Sequence, residues 1–74
     1  MPDLGRVKFF DAERGYGFIT RNDGQDFFVH ITACGNLPLE KGDKVEFEIE
    51  INERNGKPQA ADVRVLMGGV NARA

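Results

Sequence analysis

Four rings, Tyr16, Phe18, Phe28 and His30, fall within two short runs of this 74-residue chain, RGYGFI (14–19) and FFVHI (27–31), with Lys8 and Arg14 close by in sequence. Side chains of these types stack on flat π-systems and hold anions beside them, but they are poor material for making or breaking bonds. Nucleophilic and metal chemistry have little to draw on. The chain contains no serine, Cys34 is its single cysteine and His30 its single histidine. A hydrolytic triad, an internal disulfide and a cysteine-based zinc site are therefore not expected, and neither are enzymatic activity, a metal, another cofactor or a small-molecule substrate. Cys34 has no cationic cluster around it in sequence and reads as a small, partly buried hydrophobe.

The elements that must carry these rings are short strands. Turn chemistry punctuates the chain at NDGQ (22–25), EKGD (40–43) and RNGK (54–57), and between the turns lie runs rich in Val, Ile and Phe. In KVEFEIEI (44–51), Val45, Phe47, Ile49 and Ile51 share one face and Lys44, Glu46, Glu48 and Glu50 the other, the pattern of a strand with one solvated side. Its glutamates read as a charged surface that resists edge-to-edge association. Further strands are expected at roughly 5–11, 15–21, 26–31 and 58–66. No window sustains a helical period, and ITACGNLPLEKG (31–42), broken by Gly35 and Pro38, has room for a single helical turn. Five short strands in so small a chain predict an all-β fold, a small five-stranded antiparallel barrel over residues 1–66, with 67–74 as a flexible C-terminal tail.

No apolar run approaches the length of a membrane span and no charged-then-apolar leader opens the chain, so a cytoplasmic protein without a membrane partner is expected, acting as a monomer. The net charge of −2 does not favour a polyanionic partner, but its distribution is uneven. Residues 40–53 carry six acids against two lysines, while 54–74 carry Arg54, Lys57, Arg64 and Arg73 against Asp62 alone. An acidic back and a modestly basic front would reconcile the low isoelectric point with a phosphate-binding surface.

Alternation places Tyr16, Phe18 and Thr20 on one face of the second strand, with Gly17, Ile19 and Arg21 on the other. In the third, Phe28 and His30 oppose Phe27, Val29 and Ile31. Paired as a hairpin about Asp23-Gly24, the two strands present Tyr16, Phe18, Phe28 and His30 as one ring-covered surface and still supply an apolar inner set. A reading of these rings as core has to explain why the inner faces are already filled. Exposed rings interleaved with Lys8 and Arg14 suit a single-stranded nucleic acid, whose bases stack at about 1–3 kcal/mol each and whose backbone needs a few cations. Gly15 and Gly17 fit a bulge or a close backbone approach. RGYGFI also satisfies the opening of the RNA-recognition-motif signature. In that fold, however, the signature follows a helix on an interior strand, and here only thirteen residues precede Arg14.

Strand count and motif order fit an oligonucleotide-binding (OB) barrel. GRVKFFDAERGYGFI, then DFFVHITA, KGDKVEFEIE and GKPQAADV, resemble the bacterial cold-shock proteins over residues 4–66. The resemblance implies a five-stranded OB barrel that binds single-stranded RNA and DNA and serves as an RNA chaperone or a regulator of transcription or translation. It marks Lys8, Phe9, Arg14, Tyr16, Phe18, Phe28 and His30 as the binding face, Asp26 as an acceptor for a base edge, and Lys57 and Pro58 as its rim. Phe9 is the point of conflict. Strict alternation sets it beside Val7 in the core, whereas the resemblance sets it outside with Phe10 inside, which requires an irregularity in the first strand.

Phe9 stands where the family usually has tryptophan, Asp11 where it has asparagine, Ile31 where a third aromatic is common, and the short loop 34–41 lacks an aromatic. These departures predict the same fold with weaker or altered binding. His30 retains three roles: a contact to a base, a structural histidine or a proton-sensitive switch. Arg21, Arg54 and Arg64 read as solvated surface charges. The competing function is a protein-interaction module that uses the same aromatic patch.

Overall fold

The computed structural model describes residues 2–67. Five strands, β1 (Asp3–Asp11), β2 (Tyr16–Arg21), β3 (Asp26–His30), β4 (Lys44–Ile51) and β5 (Pro58–Met67), close into a barrel in the order β1-β2-β3-β5-β4. Four of the five pairings are antiparallel, and the barrel closes through a short parallel contact in which Phe28 faces Gln59 and Val29 faces Ala60. The expected turn sequences fall between strands, and the room for one helical turn is filled by a 3₁₀ turn over Ile31–Cys34. β5 runs one residue into the segment expected as a tail; residues 68–74 lie outside the described residues.

The inner faces expected from alternation are the ones that pack. Val7, Ile19, Phe27, Val29, Val45, Phe47, Ala60 and Val63 form the core, with Phe27 and Phe47 ring centroids 5.8 Å apart. Ile49 and Ile51 share that face in the period-two pattern, yet Ile49 is only partly buried and Ile51 is 61% exposed. The strand's alternation is intact, but its far end passes beyond the neighbours that would cover it.

Two core members come from the irregular segment. Leu39 is buried under the barrel, and Asp43, fully buried, accepts a hydrogen bond from the Glu40 amide at 3.1 Å. Gly42 and Asp43 also hydrogen-bond to the Val7 backbone at 2.8 and 3.0 Å, which fastens the loop to β1. Arg21 is more than a solvated charge. Its guanidinium lies 5.0 Å from the Phe27 ring centre and pairs with Asp23 at 2.6 Å, holding the Asp23 carboxyl down at about 2.

β1 contains the irregularity that Phe9 requires. Its register with β2 slips between Val7, opposite Ile19, and Phe9, opposite Phe18, so Lys8 is the extra residue of a bulge. Val7 therefore points in, Lys8 and Phe9 both point out, and Phe10 returns to pack against the core. Gly17 makes this possible, because a side chain there would strike the Phe9 carbonyl oxygen and stand 2.8 Å from the Phe10 Cα.

Candidate nucleic-acid interface

The β2–β3 register sets Tyr16 opposite His30, Phe18 opposite Phe28 and Thr20 opposite Asp26. These are the outward positions of both strands, so one hairpin assembles most of the expected face. The rings run in contact: Phe9 to Phe18 at 5.6 Å, Phe18 to Phe28 edge-on at 5.9 Å, and Phe28 to Tyr16 nearly parallel at 5.8 Å. Phe18 and Phe28 each touch two neighbours and form the middle of the row. Phe9 is 41% exposed, and the other three rings are half-buried.

The cations of this face carry their own counterions. Lys8 bonds Asp26 at 2.9 Å, and Asp26 also accepts the Thr20 hydroxyl at 2.6 Å. The Thr20 bond first, and the Lys8 bond next, hold the Asp26 carboxyl below its ordinary range. The favourable charge is therefore present at neutral pH and is lost only as the pH falls through that lowered value. Each Asp26 oxygen keeps a further lone pair, so the carboxylate can still accept a base N–H. At the other end Arg14 lies 3.7 Å from Asp11, and its guanidinium is held above its usual range, first by hydrogen bonding to Tyr16 and then by Asp11. Asp11 is itself occupied: one oxygen accepts the Glu13 and Arg14 amides at 3.0 and 3.1 Å, closing the turn before β2. Among the described residues Lys57 makes no ion pair, so it is the expected site cation without a local counterion.

Lys57 and Pro58 do form a rim. With Phe18, Asp26, Phe28, Asn52, Asn55 and Gln59 they line an open recess of about 500 Å³ beside the ring row. Sequence reasoning missed Thr20 as a partner of Asp26, although alternation already put it on the ring face. Asn52, Asn55 and Gln59 were missed for a different reason. They reach the site only through the parallel β3–β5 contact, which joins segments about thirty residues apart. Their amides are oriented: Gln59 donates to Glu50 at 3.3 Å and accepts from Asn52 at 2.9 Å. Since a carboxylate only accepts, Glu50 fixes the direction of the chain of bonds. His30 is exposed, and its Nδ1 accepts the Thr32 amide at 3.3 Å, which caps the 3₁₀ turn.

No group of three or more His, Cys, Asp or Glu among the described residues is arranged to hold a metal ion. Burial pushes the Cys34 thiol up to about 11, which leaves it protonated and unreactive at neutral pH. No helix of the described residues is long and apolar enough to cross a membrane.

The family model described as "'Cold-shock' DNA-binding domain" matches residues 3–66. A cold shock-like protein of Bacillus cereus is 53% identical over 62 residues, covering 80% of this chain and 92% of the relative. A cold shock-like protein of Thermotoga maritima is 48% identical over 65 residues, covering 84% and 96%. The major cold shock protein of Streptococcus pyogenes is 45% identical over 65 residues, covering 84% and 94%.

Proposed function

This chain belongs to the cold-shock domain family, whose members are non-enzymatic nucleic-acid-binding proteins, and from that premise we propose that it binds single-stranded RNA and DNA as a sequence-tolerant RNA chaperone. The observation that carries the reading is the contiguous ring row Phe9, Phe18, Phe28 and Tyr16 on the outside of a barrel whose inside is already packed. Every base offers a π-face, so stacking tolerates sequence. Binding the open strand and not the hairpin shifts a transcript's equilibrium toward the open form by mass action, with no other energy source. Lys8, Arg14, Lys57 and Pro58 flank the row, Asp26 offers an acceptor to a base edge, and His30 closes its end. The role belongs in the cytoplasm, where a monomer of one domain, residues 1–66, suffices.

Fluorescence-anisotropy titration of labelled oligo-dT and its RNA counterpart, with a duplex control, tests the reading. Binding to both single strands and not to the duplex is the expected result. No binding at low or high salt would overturn it and favour the protein-interaction module, a reading that the pairing of Lys8 and Arg14 with carboxylates also supports.

Salt sharpens the test. Single strands contribute about 0.7 to the slope of log K against log salt for each phosphate neutralised. With Lys57 unpaired and Lys8 and Arg14 already facing acids, the slope should lie between about −0.7 and −2. Asp26→Asn releases Lys8 and keeps an acceptor for Thr20, so it should steepen the slope by up to about 0.7. An unchanged slope would mean that Lys8 faces no phosphate in the complex.

A further inference from the structure

We infer that Thr32 locks His30 as the Nε2–H tautomer, making the ring a fixed hydrogen-bond donor to an acceptor atom of the bound strand as well as a stacking surface. The inference rests on the single-strand reading and deepens it.

One hydrogen-bond partner of His30 cannot reverse its role. The Thr32 backbone N–H points at His30 Nδ1 from 3.3 Å, and an amide N–H only donates. Nδ1 must therefore present its lone pair. A proton on Nδ1 would set two donors against each other and uncap the 3₁₀ turn Ile31–Cys34, of which His30 is the N-cap. The Thr32 hydroxyl, 3.0 Å from the same nitrogen, can rotate to suit, and with Nδ1 unprotonated it shares that one lone pair as a second donor. With Nδ1 engaged on the protein side, the ring proton resides on Nε2. His30 is exposed and sits opposite Tyr16 at the end of the ring row, so this donor is carried on the face a strand would cover. Single-stranded nucleic acid offers acceptors of one chemistry from two sources, phosphate oxygens and base carbonyl or ring-nitrogen atoms.

Thr32 is then a positioning residue, outside the ring face but setting what the face presents. Long-range 1H–15N correlation spectra of the free protein in mildly alkaline buffer read the tautomer directly, with no nucleic acid present. Nε2–H is the expected major form, and Thr32→Val should raise the minor one. A dominant Nδ1–H form would overturn the inference.

Binding supplies the second readout. An asparagine side chain can reproduce the Nδ1 acceptor but reaches no further, whereas a glutamine can reach the Nε2 position with a donor. His30→Asn should weaken oligo-dT binding while the turn stays capped, because it removes the ring as a stacking surface together with the donor. His30→Gln, which also lacks the ring, should bind about two- to ten-fold more tightly than His30→Asn, the difference expected for one hydrogen bond. Equal affinity of the two variants would overturn the inference. Walking a single methylphosphonate linkage or a single abasic site along the oligonucleotide then identifies the source. The gap between His30→Asn and His30→Gln should close at one methylphosphonate if the acceptor is a phosphate, or at one abasic position if it is a base. A gap unchanged across both series would overturn donation to the strand. Failure of wild type to bind at all would defeat the single-strand reading and leave the tautomer measurement standing, so the two failures are distinguishable.

Discussion

Phe28→Ala should lower affinity for a single-stranded oligonucleotide by about 5- to 150-fold, the equivalent of about 1–3 kcal/mol, while the barrel remains folded. Phe28 is one of the two middle rings of the row, with Tyr16 at 5.8 Å and Phe18 at 5.9 Å. Its removal deletes one stacking surface and withdraws the edge support that orients two others, so the loss should sit toward the upper end. For the same reason Phe28→Ala and Phe18→Ala should not add, and the double variant should lose less than the sum of the singles. The fold is protected because the core lies on the opposite face of the strand. Phe27 and Val29 point inward and are buried, whereas Phe28 is half-buried against other surface rings. Anisotropy titration paired with circular dichroism separates the two effects. A folded Phe28→Ala protein that binds within about two-fold of wild type would remove stacking as the basis of binding.

That prediction could be written from the sequence, because the information it needs is local. Period-two alternation over 16–21 and 26–30, with Asp23-Gly24 between them, determines which side chains share a face, and the structure pairs them accordingly. What alternation could not carry was any feature that breaks the period or joins distant segments. The bulge at Lys8 reverses the sides of Phe9 and Phe10, and strict alternation puts Phe9 in the core; only the family resemblance turned it outward. Ile51 obeys the pattern of its strand and is still exposed, because burial depends on what lies opposite and not on the period. Asn52 and Gln59 join the site through the parallel closure of β3 on β5, a contact with no local signature. Asp11 shows the limit for charge. Its place where the family has asparagine predicted weaker or altered binding, yet the structure has its carboxylate capping the turn before β2 and facing Arg14, so much of its field is spent within the protein.

The break in period at Lys8 and the ring row meet at Gly17, and Gly17→Ala should cost about 1–3 kcal/mol of stability, as overpacking does in a filled interior. A Cβ at this position would collide with the Phe9 carbonyl oxygen and approach the Phe10 Cα to 2.8 Å and the Phe10 ring to 2.8 Å. Two of these three neighbours are backbone and cannot rotate away, so relief requires β1 to move off β2. The displaced segment is the one whose bulge turns Lys8 toward Asp26 and Phe9 onto Phe18. Stability and binding should therefore fall together. For a domain of this size each kcal/mol lowers Tm by roughly 4–8 °C, so a drop on the order of 10 °C is expected, with affinity reduced even well below the new midpoint. Gly24→Ala provides the contrast. Nothing lies within 4 Å of a Cβ there, and the positive φ of 94° makes the strain purely local to the turn. It should reduce stability without moving β1, and oligonucleotide affinity should be retained wherever the protein is folded. If Gly17→Ala melted within a degree or two of wild type and bound as tightly, the close approach of the two strands would not be what turns Phe9 outward.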